Sequence, residues 1–186
     1  MLYLRSRSPR RKEVFDSLGL SYKVDPLDLD ESSLTRERPL EYLERITLAK
    51  LGPKAENTLD LQVSADTIVV RDDSILQKPE NEANALEMIL SLSGRSHLVY
   101  SGLGLRTGEE EIFDYDISTV VFQTWKKEDA ENYIRRAKPF DKAGAYGIQD
   151  NDSPVLSFEG SYTNILGFPI RKFLRYHRIW SRYLEN

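Results

Sequence analysis

The sequence contains no cysteine, which excludes a disulfide framework, a zinc–thiolate centre and a thiol nucleophile. Histidine is nearly as scarce, with two in 186 residues, and the isolated His97 is read as structural rather than catalytic. No apolar run approaches the ~18 residues of a membrane-crossing helix. Leu2-Tyr3-Leu4 before Arg5 is far too short for a signal-peptide core, so none is expected. Internal repeats and low-complexity stretches are missing. So is an excess of basic charge: 26 Lys and Arg against 30 Asp and Glu leave a net charge of −4, which argues against general nucleic-acid binding. With 40% hydrophobic and 30% charged residues the composition is that of an ordinary globular protein. A single domain over residues 1–186, placed in the cytoplasm, without membrane or nucleic-acid partners, is the expectation.

Against this plain background one stretch stands out, Val63-Ser64-Ala65-Asp66-Thr67-Ile68-Val69-Val70, with Lys78-Pro79 eight residues on. Its apolar residues read as a buried β-strand. A carboxylate inside such a strand is costly unless a cation or metal pairs with it; the competing reading is a strand end or turn cap. Arg71-Asp72-Asp73-Ser74 makes a polar turn and Ile75-Leu76 returns, a hairpin that would carry Lys78 back towards Asp66.

The flanking chain supplies cations. Met1 to Arg5 reads as a strand, and Ser8-Pro9 fits the cap and first position of a helix closed by Gly19. That helix carries Arg10, Arg11 and Lys12 in its first turn, where the macrodipole favours acids. The arrangement makes sense if an anion such as phosphate occupies the helix N-terminus; otherwise it is a solvated basic patch. Residues 21–26 suggest a second strand. Asp25, Asp28, Asp30 and Glu31 then put four acids into seven residues, either solvated loop or oxygen ligands for a hard divalent cation. Pro39 opens a helix with Leu40, Leu43, Thr47 and Lys50 at helical spacing. Further on, helices are expected over 79–92 and 127–136, strands over 97–105 and 111–122, and a basic amphipathic helix at the end. Between them Asp141-Lys142-Ala143-Gly144-Ala145-Tyr146-Gly147-Ile148-Gln149 offers small residues that let backbone approach a ligand closely.

Ser6-x-Ser-Pro-Arg-Arg, Ala65-Asp66-Thr67-Ile68-Val69-Val70, Lys78-Pro79, Leu92-Ser93-Gly94-x-x-His97, the 141–149 stretch, Glu159-Gly160-Ser161-Tyr162 and Gly167-x-Pro169, in this order, resemble the Maf family of nucleoside triphosphate pyrophosphatases. The sequence departs from the family pattern at Arg5 and Arg7, at Ser64 for a common Gly, at Ile46-Thr47 for Leu-Ala, and at Asp150 for a Gly after Gln149.

The resemblance implies an α/β, Maf/ITPase-like fold, with an elongated, twisted mixed sheet flanked by helices and two lobes around a central cleft. It implies hydrolysis of a nucleoside triphosphate between the α and β phosphates, with Asp66, Lys50 and Lys78 catalytic. By the same carry-over Glu31, Glu37 and Asp66 surround a Mg²⁺ or Mn²⁺ ion, while Ser6, Arg10, Arg11, Thr67 and Gln149 contact substrate. Arg10, Thr67 and Gln149 resemble the subgroup acting on dTTP and UTP, including base-modified pyrimidine triphosphates. The direction agrees with chemistry, since Gln149 offers both a donor and an acceptor to a uracil or thymine edge. Two alternatives stand beside this reading: a 7-methyl-GTP pyrophosphatase, and a non-catalytic nucleotide-binding regulator of cell division or septum formation. A homodimer is left open.

Overall fold

The computed structural model describes residues 1–108 and 110–184. In chain order its elements are β1 (Leu2–Leu4), α1 (Pro9–Ser17), β2 (Lys23–Val24), α2 (Pro39–Ala49), β3 (Leu61–Arg71), β4 (Ser74–Leu76), α3 (Glu82–Leu92), β5 (Ser96–Thr107), β6 (Glu110–Phe122), α4 (Lys127–Ala137), β7 (Val155–Glu159), α5 (Tyr162–Leu166), α6 (Ile170–Arg175) and α7 (His177–Trp180). The strands form a seven-stranded mixed sheet in the order β2-β1-β3-β5-β6-β7, with β4 paired to β3. β1 runs parallel to β2 and β3, whereas β4 on β3 and β7 on β6 are antiparallel. Helices flank the sheet, so the chain is a mixed α/β protein.

Two compact units divide the chain: Met1–Asp66, Ser101–Asp116 and Gly167–Asn186 form the first, Thr67–Tyr100 and Ile117–Leu166 the second. Each has its own core. In the first, Leu2 and Leu4 of β1 and Leu61, Val63 and Ala65 of β3 pack with Phe15, Phe168, Phe173 and Trp180. In the second, Ile89 and Leu92 of α3 meet Tyr133 and Ile134 of α4 over Val99, Val120 and Phe122.

Several elements differ from what the sequence suggests. Asp66 does not end a strand; the 11-residue β3 runs through it to Arg71. α3 begins at Glu82 rather than at Pro79, because Asn81 caps it by accepting from the Asn84 N–H at 2.9 Å. Only Lys23 and Val24 of the expected second strand pair, so residues 25–38 cross without regular structure. β7 has no clear sequence signal, because four of its five residues are exposed on a strand of mixed polarity. The expected C-terminal helix is broken at Tyr176. There the Trp180 indole donates to the Phe173 carbonyl at 2.8 Å and stacks on the Phe173 ring at 4.8 Å, folding the last turns back onto the core. Among the described residues no helix is long and apolar enough to cross a membrane.

Candidate active site

β3 alternates, and its alternation builds the site. Leu61, Val63 and Ala65 point into the core of the first unit. Side chains two apart share a strand face, so Gln62, Ser64 and Asp66 line the other, and each of the three meets the end of α2. Gln62 Nε2 donates to the carbonyls of Leu51 (3.2 Å) and Pro53 (2.8 Å), tying down the chain just beyond α2. Ser64 Oγ donates to the Thr47 carbonyl at 2.6 Å. Asp66 Oδ1 accepts from Lys50 Nζ at 2.6 Å.

Lys50 reaches this seam because it belongs to the buried stripe of α2. Leu43, Ile46, Thr47 and Lys50 are all buried, at the i, i+3, i+4, i+7 spacing of one helix face, and Lys50 is the C-cap residue. The helix also has to come close to the sheet. A Cβ on Gly102 would lie 2.4 Å from Thr47 Oγ1, and one on Gly104 would lie 2.4 Å from Ser64 Oγ. Two glycines of β5 therefore leave the space in which α2 settles.

Lys50 bridges two carboxylates, with Glu31 Oε1 2.9 Å from Nζ on the other side. Asp66 is 7% and Lys50 9% exposed, so the pair sits where water screens charge poorly. Glu31 lies in the irregular segment 25–38, and α2 holds that segment in place. Tyr42 Oη donates to the Glu31 carbonyl at 2.8 Å. Arg45 donates to the Ser32 carbonyl (3.0 Å) and to both oxygens of Glu37 (2.6 and 2.7 Å). Burial first, then the charges of Asp66 and Glu31, push the Tyr42 phenol above its ordinary pKa, so it remains a donor. Arg45 holds the Glu37 carboxyl below its usual range.

The other end of segment 25–38 is tied to the β1–α1 loop. Arg5 donates to the Asp25 carboxylate and, at 3.2 Å, to its carbonyl; Arg7 bonds Asp28 at 2.7 Å. The two arginines that depart from the family pattern thus meet two of the four acids. Within the loop Ser6 Oγ accepts from Ser8 N–H (3.2 Å) and Arg11 Nη1 (3.1 Å), and Arg11 Nε donates to the Gly167 carbonyl at 2.9 Å. Ser8 makes no side-chain cap, and no acid stands in the first turn of α1. Burial lowers the Arg11 pKa and neighbouring Arg10 adds to that, while Asp66 and Glu31 act against it. The half-buried guanidinium thus stands within the field of both carboxylates.

A profile described as Maf-like protein matches residues 1–178. The chain belongs to the Maf-like protein family. It is 56% identical over 186 residues, covering 100% of this chain and 98% of the relative, to the dTTP/UTP pyrophosphatase of Leptospira interrogans serogroup Icterohaemorrhagiae serovar Lai. The dTTP/UTP pyrophosphatase of Leptospira biflexa serovar Patoc is 46% identical over 97% of this chain and 94% of that one. That of Clostridioides difficile is 37% identical over 92% of this chain and 90% of that one. A solved nucleoside-triphosphatase / dITP/XTP pyrophosphatase from Mycobacterium abscessus aligns at a TM-score of 0.42 and 18% identity, covering 65% of this chain and 72% of that one.

Of the residues that the Maf resemblance singles out, Ser6, Arg10, Arg11, Glu31, Glu37, Lys50 and Asp66 lie in the first unit. Lys50 gathers Asp66 and Glu31, and Arg11 gathers Ser6. Glu37 is not gathered with them, since both its oxygens go to Arg45. Thr67, Lys78 and Gln149 belong to the second unit. There β4 runs back along β3 with Leu76 opposite Val69, and Lys78 follows two residues later, exposed. Gln149 is exposed in a turn after a short 3₁₀ segment (Ala143–Ala145).

Sequence reading passes over Gln62, Tyr42, Arg45 and the glycine pair. One signal was available for the first: polar residues at 62, 64 and 66 alternate inside an apolar strand. Nothing local marks Tyr42 or Arg45, whose partners lie 8 to 13 residues upstream.

Proposed function

We propose that this Maf-family chain hydrolyses nucleoside triphosphates between the α and β phosphates, with dTTP and UTP as preferred substrates, as a single catalytic domain working in the cytoplasm. The observation that carries the reading is the Lys50 ammonium held between Asp66 and Glu31, 2.6 and 2.9 Å away, in surroundings that are nearly dry on the Asp66 side. The names of the relatives support the substrate class.

In this reading Arg10, Arg11 and Lys78 receive the phosphate charge. Asp66 takes a proton from the attacking water while its second oxygen stays with Lys50. The oxygen of that water bonds to the α-phosphorus, the bond from this phosphorus to the α–β bridging oxygen breaks, and pyrophosphate leaves with the bridging oxygen. Lys50 holds the Asp66 carboxylate in place. Thr67 and Gln149 read the base edge.

The donor set bears on a Mg²⁺ or Mn²⁺ ion as well. Asp66 and Glu31 already converge on one cation, so they fit a metal's oxygen ligands; Glu37, committed to Arg45, does not. Among the described residues no group of three His, Asp or Glu side chains is placed to hold a metal, so the remaining ligands would be triphosphate oxygens and water. Such an ion would neutralise charge developing on the phosphates.

The test is pyrophosphate release from dTTP, UTP, dGTP, ATP and 7-methyl-GTP, each with Mg²⁺, with Mn²⁺ and with chelator. Release from dTTP and UTP well above the purine nucleotides is the expected result. A panel led by 7-methyl-GTP overturns the pyrimidine assignment, and binding without release from any nucleotide overturns the enzyme reading.

A further inference from the structure

Gln149 sits at the corner of a four-residue turn, and both feet of that turn end on one atom. The Asp150 N–H donates to the Gly147 carbonyl at 3.3 Å, with Ile148 and Gln149 between them. The Gly147 N–H donates to Tyr133 Oη at 2.9 Å, and the same hydroxyl donates to Asp150 Oδ2 at 2.5 Å. Tyr133 is itself fully buried on α4, against Trp125. A Cβ at position 147 would lie 2.8 Å from both oxygens of the Asp150 carboxylate, so the carboxylate folds over the glycine and closes the turn from above. Tyr146, just before the turn, is anchored separately by His97 Nε2 at 2.8 Å from its hydroxyl. A buried hydroxyl with two partners of this quality fixes backbone more firmly than an exposed turn fixes itself.

We propose that Tyr133 and Asp150 are positioning residues for base recognition: the phenol clamps the two feet of the 147–150 turn and so presents the Gln149 amide in one orientation. The proposal rests on the reading of Gln149 as the residue that meets the pyrimidine edge. Neither Tyr133 nor Asp150 touches substrate; both act through the turn. Loosening the clamp leaves the phosphate-handling residues in place and lets Gln149 sample orientations in which its donor and acceptor miss the base.

The experiment compares dTTP with 2-deoxyribose 5-triphosphate, which carries the phosphates and no base. Tyr133→Phe and Asp150→Ala are expected to raise KM for dTTP by ~5- to 10-fold, the worth of about one hydrogen bond, with kcat little changed. Activity on the baseless triphosphate should stay at the wild-type level, and Asp150→Asn, which keeps an acceptor oxygen, should retain the wild-type KM for dTTP. Equal losses on both substrates, or no change on dTTP, would overturn the positioning role. If Tyr133→Phe does not fold, Asp150→Ala decides by the same comparison. Wild-type protein that leaves dTTP intact overturns the substrate reading itself, an outcome visible before any variant is made.

Discussion

Lys50 and Asp66 are not equivalent partners. Lys50 has two carboxylates, so removing Asp66's charge leaves the ammonium with Glu31, whereas removing Lys50 leaves two carboxylates facing each other. Asp66→Asn should lower kcat by ~10²-fold or more with stability within about 1 kcal/mol of wild type. Lys50→Met should lower activity too and cost about 3 kcal/mol, because an uncompensated buried charge remains. Denaturant unfolding of the two variants beside their turnover separates these outcomes; equal stability losses would mean that Glu31 does not share the lysine. His97 gives a second residue-scale expectation. Burial pushes its pKa down to about 4 from 6.5, and it is 3% exposed with Nδ1 unpartnered in the interior. The unfolded chain therefore takes up a proton here between pH 6.5 and 4 that the folded chain refuses. Stability is fully present above pH 6.5 and falls with the pH through that window, by about 3 kcal/mol in all. Unfolding of His97→Gln should show a flatter pH dependence over that range, and an unchanged slope would assign the loss to other groups.

At the scale of elements, the site depends on how closely α2 approaches β3 and β5. Ser64 and Gly104 form a complementary pair: the hydroxyl fills the space that the missing Cβ leaves. Gly104→Ala should force Ser64 off the Thr47 carbonyl and cost roughly 1–3 kcal/mol as an overpacked core position, with turnover falling as the end of α2 shifts. Adding Ser64→Gly should recover most of that loss, a coupling that a double-mutant cycle measures directly. Additive losses would show that the two positions do not share the space. The irregular segment 25–38 is organised by the same helix. Tyr42, Arg45 and Lys50 each hold a different part of it, and Arg5 and Arg7 hold its beginning. Of the two ion pairs there, Arg5 with Asp25 carries more weight, because Arg5 is buried while Arg7 and Asp28 are both exposed.

For the whole molecule, ligand binding and folding are linked. A ligand that binds only the folded chain stabilises it by about 2.7 kcal/mol at a hundred times its dissociation constant. A dTTP analogue with a non-hydrolysable α–β bridge, added with Mg²⁺, should therefore raise the unfolding midpoint at concentrations where the corresponding 7-methyl-GTP analogue does not. Equal shifts by the two analogues would remove the pyrimidine preference from this chain.

The sequence by itself determined the family, the order of the main elements and the position of one carboxylate inside an apolar strand, because these depend on local pattern: strand alternation, helix spacing, and motifs whose residues are near neighbours. Asp66 and Lys50 were legible as a cation-seeking acid and a lysine on the apolar stripe of α2. Their meeting was not, since a separation of 16 residues fixes no distance until α2 docks. Glu37 shows the limit from the other side. The Maf resemblance makes it a metal ligand, and only the tertiary structure gives both its oxygens to Arg45. The Tyr133 hydroxyl that closes the turn at Gly147 and Asp150 comes from 14 and 17 residues upstream. The broken C-terminal helix was decided in the same way, by Trp180 reaching the Phe173 carbonyl. In each case a long side chain chooses among several acceptors that sequence leaves equally available, and packing of the core selects the one within reach.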